Sequence, residues 1–256
     1  MRDSMTYATQ QASPAIKGSL NFLSILKAGI VTGIAAGATL GGLLLLFLTP
    51  IILEAETYEA QIPDSHPLIS RNIVHFWTFA GAIVLGILYS TIFTFVYTMV
   101  QHRIPVKNTQ FKGLILALNG FLVAVLVPSL YLPPNPPGIE TSLPVMARQS
   151  IFFAIIIAGI LASIAFWGIY SLLSLEYNSM LGLSTGAFAF VVIIIIAFVL
   201  SPSNSNIPLI PSDLLWRYRV ESLGAMFVFW AIMGVMTNGI LDYFRPQVGI
   251  SEKAIC

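Results

Sequence analysis

The sequence AGIVTGIAAGATLGGLLLLFL, residues 28–48, contains no charged residue and is followed directly by Thr49-Pro-Ile-Ile-Leu-Glu54-Ala-Glu56-Thr-Tyr-Glu59. An α-helix that crosses the roughly 30 Å hydrocarbon core of a bilayer needs about 20 apolar residues. The first stretch therefore predicts a transmembrane helix, and the glutamates are expected where this helix leaves the lipid. Carboxylates at such a position are close both to water and to the protein interior, so they could meet a cation.

The composition of the whole chain indicates an integral membrane protein. Hydrophobic residues make up 57% of its 256 residues and charged residues only 9%, whereas soluble domains carry about 25% charged residues. The formal net charge of +1 argues against a nucleic-acid partner, because phosphate binding requires clustered Lys and Arg. The single cysteine, Cys256, excludes a disulfide within one chain.

Uninterrupted apolar runs of this length predict helices rather than barrel strands, in which apolar and polar residues alternate. We therefore expect an all-α fold, a polytopic transmembrane helix bundle of about six spans. Its N-terminal segment would be residues 1–27, the bundle residues 28–241 and the tail residues 242–256. The predicted spans are Ala28–Leu48, Ile73–Val100, Gly113–Leu130, Ile151–Leu175, Met180–Leu200 and Ser222–Leu241.

The distribution of Lys and Arg predicts that both termini lie inside, in the cytoplasmic membrane, because positive residues are concentrated in cytoplasmic segments. With this N-in/C-in orientation, the outer segments hold only Arg71, Arg148, Arg217 and Arg219. The inner segments hold the other basic residues, which are Arg2, Lys17, Lys27, Arg103, Lys107, Lys112, Arg245 and Lys253.

Four glycines recur at intervals of four residues in the first span, at Gly29, Gly33, Gly37 and Gly41. On a helix this spacing leaves a smooth groove that a second helix can approach closely. Packing within the chain's own bundle is the favoured interpretation. Homo-oligomerisation or docking of a single-span partner is the alternative.

The three glutamates and two histidines are the candidate metal ligands. If the first helix continues past Leu48, Glu56 and Glu59 share a face while Glu54 points elsewhere. Hard and borderline divalent ions accept carboxylate oxygen and imidazole nitrogen. His66 and His75 could complete a cation entry site with these carboxylates, with Glu54 in support. An ordinary solvated helix end with an interfacial histidine is the alternative.

Arg148, Arg217 and Arg219 stand at the outer starts of the fourth and sixth spans. Arginines at such positions extend to lipid headgroups or pair with neighbouring acids, and pairing with the outer acids is favoured. Capture of a small anionic substrate is the alternative. No HExxH zinc motif and no phosphate-binding loop occurs, so we predict neither an enzyme nor a permanently bound cofactor.

Three segments resemble the CbtA family of predicted cobalt transporter subunits. They are Thr49–Glu59 after a glycine-rich span, Leu132-Pro-Pro-Asn-Pro-Pro-Gly138 followed by Ala147-Arg148-Gln149, and Phe229-Trp-Ala-Ile-Met-Gly234. The resemblance covers about residues 28–241. It implies a multi-pass protein that takes up cobalt beside a small single-span partner, CbtB, with a His-rich tail. The family's acidic motif falls on Glu54, Glu56 and Glu59, and its later arginine on Arg148.

The chain also departs from the family pattern. Many members have a longer, His-rich first outer loop and are described with five spans, whereas this chain keeps only His66 and His75 there and has six predicted spans. The sequence thus predicts a CbtA-like transport component with Co²⁺ as the transported ion. The alternative from another class is a non-transporting accessory subunit of a larger membrane complex. A third, a permease for small carboxylates, would use Arg148, Arg217 and Arg219.

Overall fold

The structure is a computed structural model that describes residues 16–17, 20–59, 71–136, 139–203, 206–207, 210–245 and 247–248. These residues are almost entirely helical. The α-helices are α1 (Phe22–Leu43), α2 (Thr49–Glu59), α3 (Arg71–Val100), α4 (Thr109–Phe121), α5 (Val127–Tyr131), α6 (Val145–Glu176), α7 (Ser179–Leu200) and α8 (Ser212–Phe244). A first π segment, Leu44–Leu48, joins α1 to α2, and a second, Leu122–Leu126, joins α4 to α5.

Within the described residues, six helical stretches are long and apolar enough to cross a membrane. This confirms the predicted all-α, multi-pass fold. Several helices begin before their predicted spans: α1 at Phe22 rather than Ala28, α6 at Val145 rather than Ile151, and α8 at Ser212 rather than Ser222. The prediction for α8 was too short because its first turns carry charged residues, which lower the local hydropathy without ending the helix.

The six crossings place the two chain ends at the same end of the bundle. There β1 (Ile16–Lys17) pairs antiparallel with β4 (Gln247–Val248), and the Ser24 hydroxyl donates to the Phe244 carbonyl oxygen at 2.8 Å. We call this the terminal end. At the opposite end, which we call the Glu54 end, β2 (Glu140–Thr141) pairs antiparallel with β3 (Asn206–Ile207).

Asparagine side chains fix the start of three helices. Asn21 accepts from the Ser24 backbone N–H at 2.8 Å, Asn108 from that of Gln110 at 2.9 Å and Asn178 from that of Leu181 at 2.7 Å. Each bond satisfies a backbone donor that has no partner in the first helical turn. Asn178 thereby allows α7 to begin directly after α6, so that the two helices form an antiparallel hairpin.

The helices pack as two groups. In the larger group, α1 lies against α3 and α8, and α8 also lies against α4. The smaller group is the α6–α7 hairpin, which meets α4 through a hydrogen bond from the Asn119 amide to the Ser163 hydroxyl at 3.2 Å. The core of the larger group contains Ala36, Leu40, Ala82, Phe93, Ala117, Val125, Ala225, Phe229, Trp230 and Met233.

A proline explains each π segment. Pro50 and Pro128 each follow the last residue of a π segment by two positions. A proline has no N–H for the carbonyl four residues earlier, and its ring collides with that carbonyl in a regular α-helix. The residues four positions earlier, Leu46 and Ala124, lie at the centres of the two π segments. The helix therefore widens around each proline and continues beyond it instead of ending.

Candidate functional site

The glycines of α1 lie in its contact with α3. A Cβ atom placed on Gly33 would be 2.5 Å from the Ile87 Cα, and one on Gly37 would be 2.6 Å from the Ala82 carbonyl oxygen. Gly29 and Gly41 face α3 in the same way, opposite Thr91 and Phe79. Because the opposing atoms are mostly backbone, only glycine permits this approach. In this structure the glycine groove is therefore occupied by the chain's own helix.

The first helix continues past Leu48, so its glutamates stand on an ordered helix end. Ile51 and Ala55 are buried against α8, while Glu54 and Glu56 are exposed. Glu54 Oε2 lies 3.9 Å from Arg217 Nη1, with both side chains more than half exposed. Such a pair contributes about 0–1 kcal/mol, but it offsets the charge of Glu54. Glu56 has no ion pair among the described residues.

The structure describes only one of the two candidate histidine ligands. His75 is half-buried near the start of α3. His66 and the side chain of Glu59 lie outside the described residues. Among the side chains that the structure does describe, no three His, Cys, Asp or Glu residues lie close enough together to hold a metal ion. The described part of the Glu54 end thus offers single exposed carboxylates rather than a preformed metal centre.

The three arginines have different surroundings. Arg217 faces Glu54, whereas Arg219 Nη2 donates to the side-chain oxygen of Asn135 at 2.9 Å. Arg148 Nε is buried without a hydrogen-bond partner in the described structure. An open pocket of about 490 Å³ includes both Arg148 and Asn135; its other lining residues are Leu132, Pro133, Val145, Gln149, Phe152 and Phe153. Of the three, only Arg217 therefore pairs with an outer acid in the described residues.

One serine pattern in the chain resembles a catalytic motif. Gly182-Leu-Ser-Thr-Gly186 matches GxSxG, which in hydrolases places the serine on a sharp strand-to-helix turn. Here the segment lies inside α7, and the Ser184 hydroxyl donates to the Leu181 carbonyl oxygen at 3.1 Å. The pattern therefore lacks the turn that exposes a nucleophile.

Polar groups also lie inside the larger helix group, in the half nearer the terminal end. Near the terminal end, the Tyr97 hydroxyl, on α3, donates to the Asn238 side-chain oxygen of α8 at 3.2 Å. Farther inside, the hydroxyl oxygens of Thr32 and Ser90 are buried without a hydrogen-bond partner. Buried polar groups in membrane helices commonly line substrate and ion pathways. The contact region of α1, α3 and α8 is therefore the most polar part of the described interior.

Glu221 is the functional candidate that the sequence analysis did not select. The predicted sixth span begins just after it, at Ser222, but Glu221 lies inside α8. Its side chain is only partly exposed, and its Oε2 atom is buried without a hydrogen-bond partner. The signal that could have revealed it is Pro211-Ser212-Asp213, which is typical of a helix start.

The six apolar crossings within the described residues define a multi-pass membrane protein. The family model described as "Probable cobalt transporter subunit (CbtA)" matches residues 22–241, and the chain belongs to this family. No curated protein and no solved structure matches the chain. Family membership confirms the predicted resemblance and the predicted role as a cobalt transport component. The word subunit further implies that it works with a partner chain.

Proposed function

We propose that the chain takes up Co²⁺ across the cytoplasmic membrane, with the Glu54 end outside and both termini inside. Cobalt is the transported ion rather than a resident cofactor, and the chain performs no enzymatic reaction. The excess of Lys and Arg in the segments of the terminal end supports this orientation. A CbtB-like single-span protein is the expected partner, as the family resemblance implies.

The observation that carries this proposal is the continuous first helix, which ends in exposed carboxylates. Glu56 stands on α2 without an ion pair in the described structure, and Glu59 lies three residues further on the same helix. Residues three apart are neighbours on a helix surface. We infer that these two carboxylates make the first contact with the hydrated ion. Glu54, His66 and His75 assist them.

Replacing both carboxylates tests the entry site. We expect the Glu56→Ala/Glu59→Ala variant to lower cobalt accumulation to the level of cells without the protein, because the ion loses both charged oxygen ligands. The measurement is uptake of radioactive Co²⁺ by cells that express the chain with its genomic neighbours, alongside the amount of protein in the membrane. Glu176→Ala, which removes an exposed glutamate at the end of α6, is the matched control.

The same experiment separates transport from an accessory role. If the double variant accumulates as much cobalt as the wild type, Glu56 and Glu59 are not on the transport path. If cells with the wild-type chain accumulate no more cobalt than cells without it, uptake by this chain is contradicted. Stable co-purification with other membrane subunits would then support the accessory alternative. Equilibrium titration of Co²⁺ into the purified chain adds a direct readout, since we expect saturable binding that the double variant loses.

A further inference from the structure

Glu221 lies on the same face of α8 as a residue that packs against the first helix. Leu214, which is buried against Ile51 and Ala55, precedes it by seven residues on α8. Seven residues are nearly two helical turns, so Leu214 and Glu221 share a face and lie about 10 Å apart along the axis. Because α1 and α8 run in opposite directions, a step forward along α8 corresponds to a step back along the first helix. The residues seven positions before Ile51 and Ala55 are Leu44 and Leu48. Glu221 therefore lies at the level of the first π segment.

The second π segment approaches the same part of α8. Phe121, which precedes this segment, contacts the ring of Phe227 with centroids 5.4 Å apart. Val125 of the segment belongs to the same buried cluster as Ala225. Both π segments lie in contact with α8. The residues just after Glu221 on α8 thus lie between two helix segments that prolines have widened.

The buried carboxylate oxygen of Glu221 favours a cation. A carboxylate inside a membrane protein is costly unless a partner is present, and buried polar atoms without a partner point to a water or an ion.

We propose that Glu221 is an internal cation ligand on the transport path, the next carboxylate that the ion meets after Glu56 and Glu59. This inference rests on the proposed cobalt uptake. Glu221 lies four residues, about 6 Å, further along α8 than Arg217, which pairs with Glu54 at the bundle surface. The ligands in this proposal are the Glu221 carboxylate and water oxygens. A site made only of oxygen holds Co²⁺ weakly enough to release it, as conduction requires.

The Glu221→Gln variant keeps the shape of the side chain and removes its charge. We expect cobalt accumulation to fall about tenfold or more, the effect of losing one charge-assisted contact, with unchanged protein in the membrane. Asp213→Asn is the matched control, since Asp213 is an exposed acid in the first turn of the same helix. Accumulation in the Glu221→Gln variant equal to wild type would overturn the proposal.

A labelling experiment tests the site independently of transport. Dicyclohexylcarbodiimide reacts with carboxyl groups in apolar surroundings, and mass spectrometry of membranes that contain the full chain identifies the modified residue. We expect Co²⁺ to slow the labelling of Glu221 in a saturable manner. The Glu56→Ala/Glu59→Ala variant should retain this protection, because the internal ligand is a separate site.

The two assays distinguish the failure of each proposal. If wild-type cells accumulate no cobalt but Co²⁺ still protects Glu221, uptake by this chain is wrong and the internal site remains. If wild-type cells accumulate cobalt while labelling of Glu221 is insensitive to Co²⁺, the internal site is wrong and uptake remains. Labelling that Co²⁺ does not change therefore overturns the assignment of Glu221, whatever the uptake assay gives.

Discussion

The Gly33→Leu substitution is expected to destroy the folded protein, whereas Gly42→Leu is expected to leave it intact. A Cβ on Gly33 would lie 2.5 Å from the Ile87 Cα and 2.6 Å from the Gly86 carbonyl oxygen, while a Cβ on Gly42 would meet no atom within 4 Å. The atoms opposite Gly33 are backbone and cannot turn aside. Helices α1 and α3 would have to separate along the whole glycine groove.

The size of the effect follows from packing inside a membrane. Lipid chains are as apolar as leucine, so close van der Waals contact rather than escape from water holds these helices together. Overpacking a well-filled contact costs about 1–3 kcal/mol and occasionally more, and here the inserted side chain meets backbone. We therefore expect Gly33→Leu to cost more than this range and Gly33→Ala to cost an amount within it.

Fluorescence-detected size-exclusion chromatography after graded heating of the detergent-solubilised protein measures this loss. We expect Gly33→Leu to show little monodisperse protein at any temperature, Gly33→Ala a lowered apparent Tm and Gly42→Leu the wild-type profile. A Gly33→Leu protein that elutes and melts like wild type would contradict the packing of α1 on α3. It would also reopen the alternative in which the glycine groove receives a separate chain.

The number and type of the membrane spans could be predicted from the sequence because few backbone structures can cross a bilayer. Backbone groups inside lipid must be satisfied within the segment, so a long apolar run has to be a helix. The glycine spacing likewise predicted a close helix contact, but the contacting helix, α3, depends on tertiary packing. Hydropathy alone also could not locate the start of α8, because its first turns carry Asp213, Arg217, Arg219 and Glu221.

The candidate site was less predictable than the fold for a physical reason. The cluster Glu54, Glu56 and Glu59 stands out in sequence because its members are adjacent along the chain. Glu221 becomes a candidate only when α8 lies antiparallel to α1 and brings this residue to the level of Leu44–Leu48. The two prolines were visible in the sequence, but their shared position beside α8 is a property of the folded bundle.

Trp230→Ala is the second substitution for which we expect a large loss of stability. Trp230 on α8 is 7% exposed, and its ring lies edge-on to Tyr89 and Phe93 of α3, with centroids 6.2 and 6.1 Å away. On another side the ring covers Gly120 of α4, where an added Cβ would collide with it. One side chain thus joins three helices at the centre of the larger helix group.

Removing this ring leaves a void that lipid chains cannot reach, so its neighbours lose their dispersion contacts outright. The indole N–H has no hydrogen-bond partner in the described structure, so the loss comes from packing alone. Core Trp→Ala substitutions cost about 3–5 kcal/mol. We expect about 3 kcal/mol, measured as a lowered apparent Tm in detergent. Trp216→Ala, which removes a 66% exposed ring from the same helix, should change the apparent Tm little.

The Gly120 contact provides a stricter test of the same packing. Gly120→Ala alone should destabilise the protein, because its methyl group would collide with the Trp230 ring. In the Trp230→Ala background the same methyl group would fill part of the void. The double variant should therefore lose less stability than the sum of the two single variants, with a coupling of about 0.5–3 kcal/mol as found for residues in contact. Strict additivity would mean that α4 and α8 do not meet at Trp230.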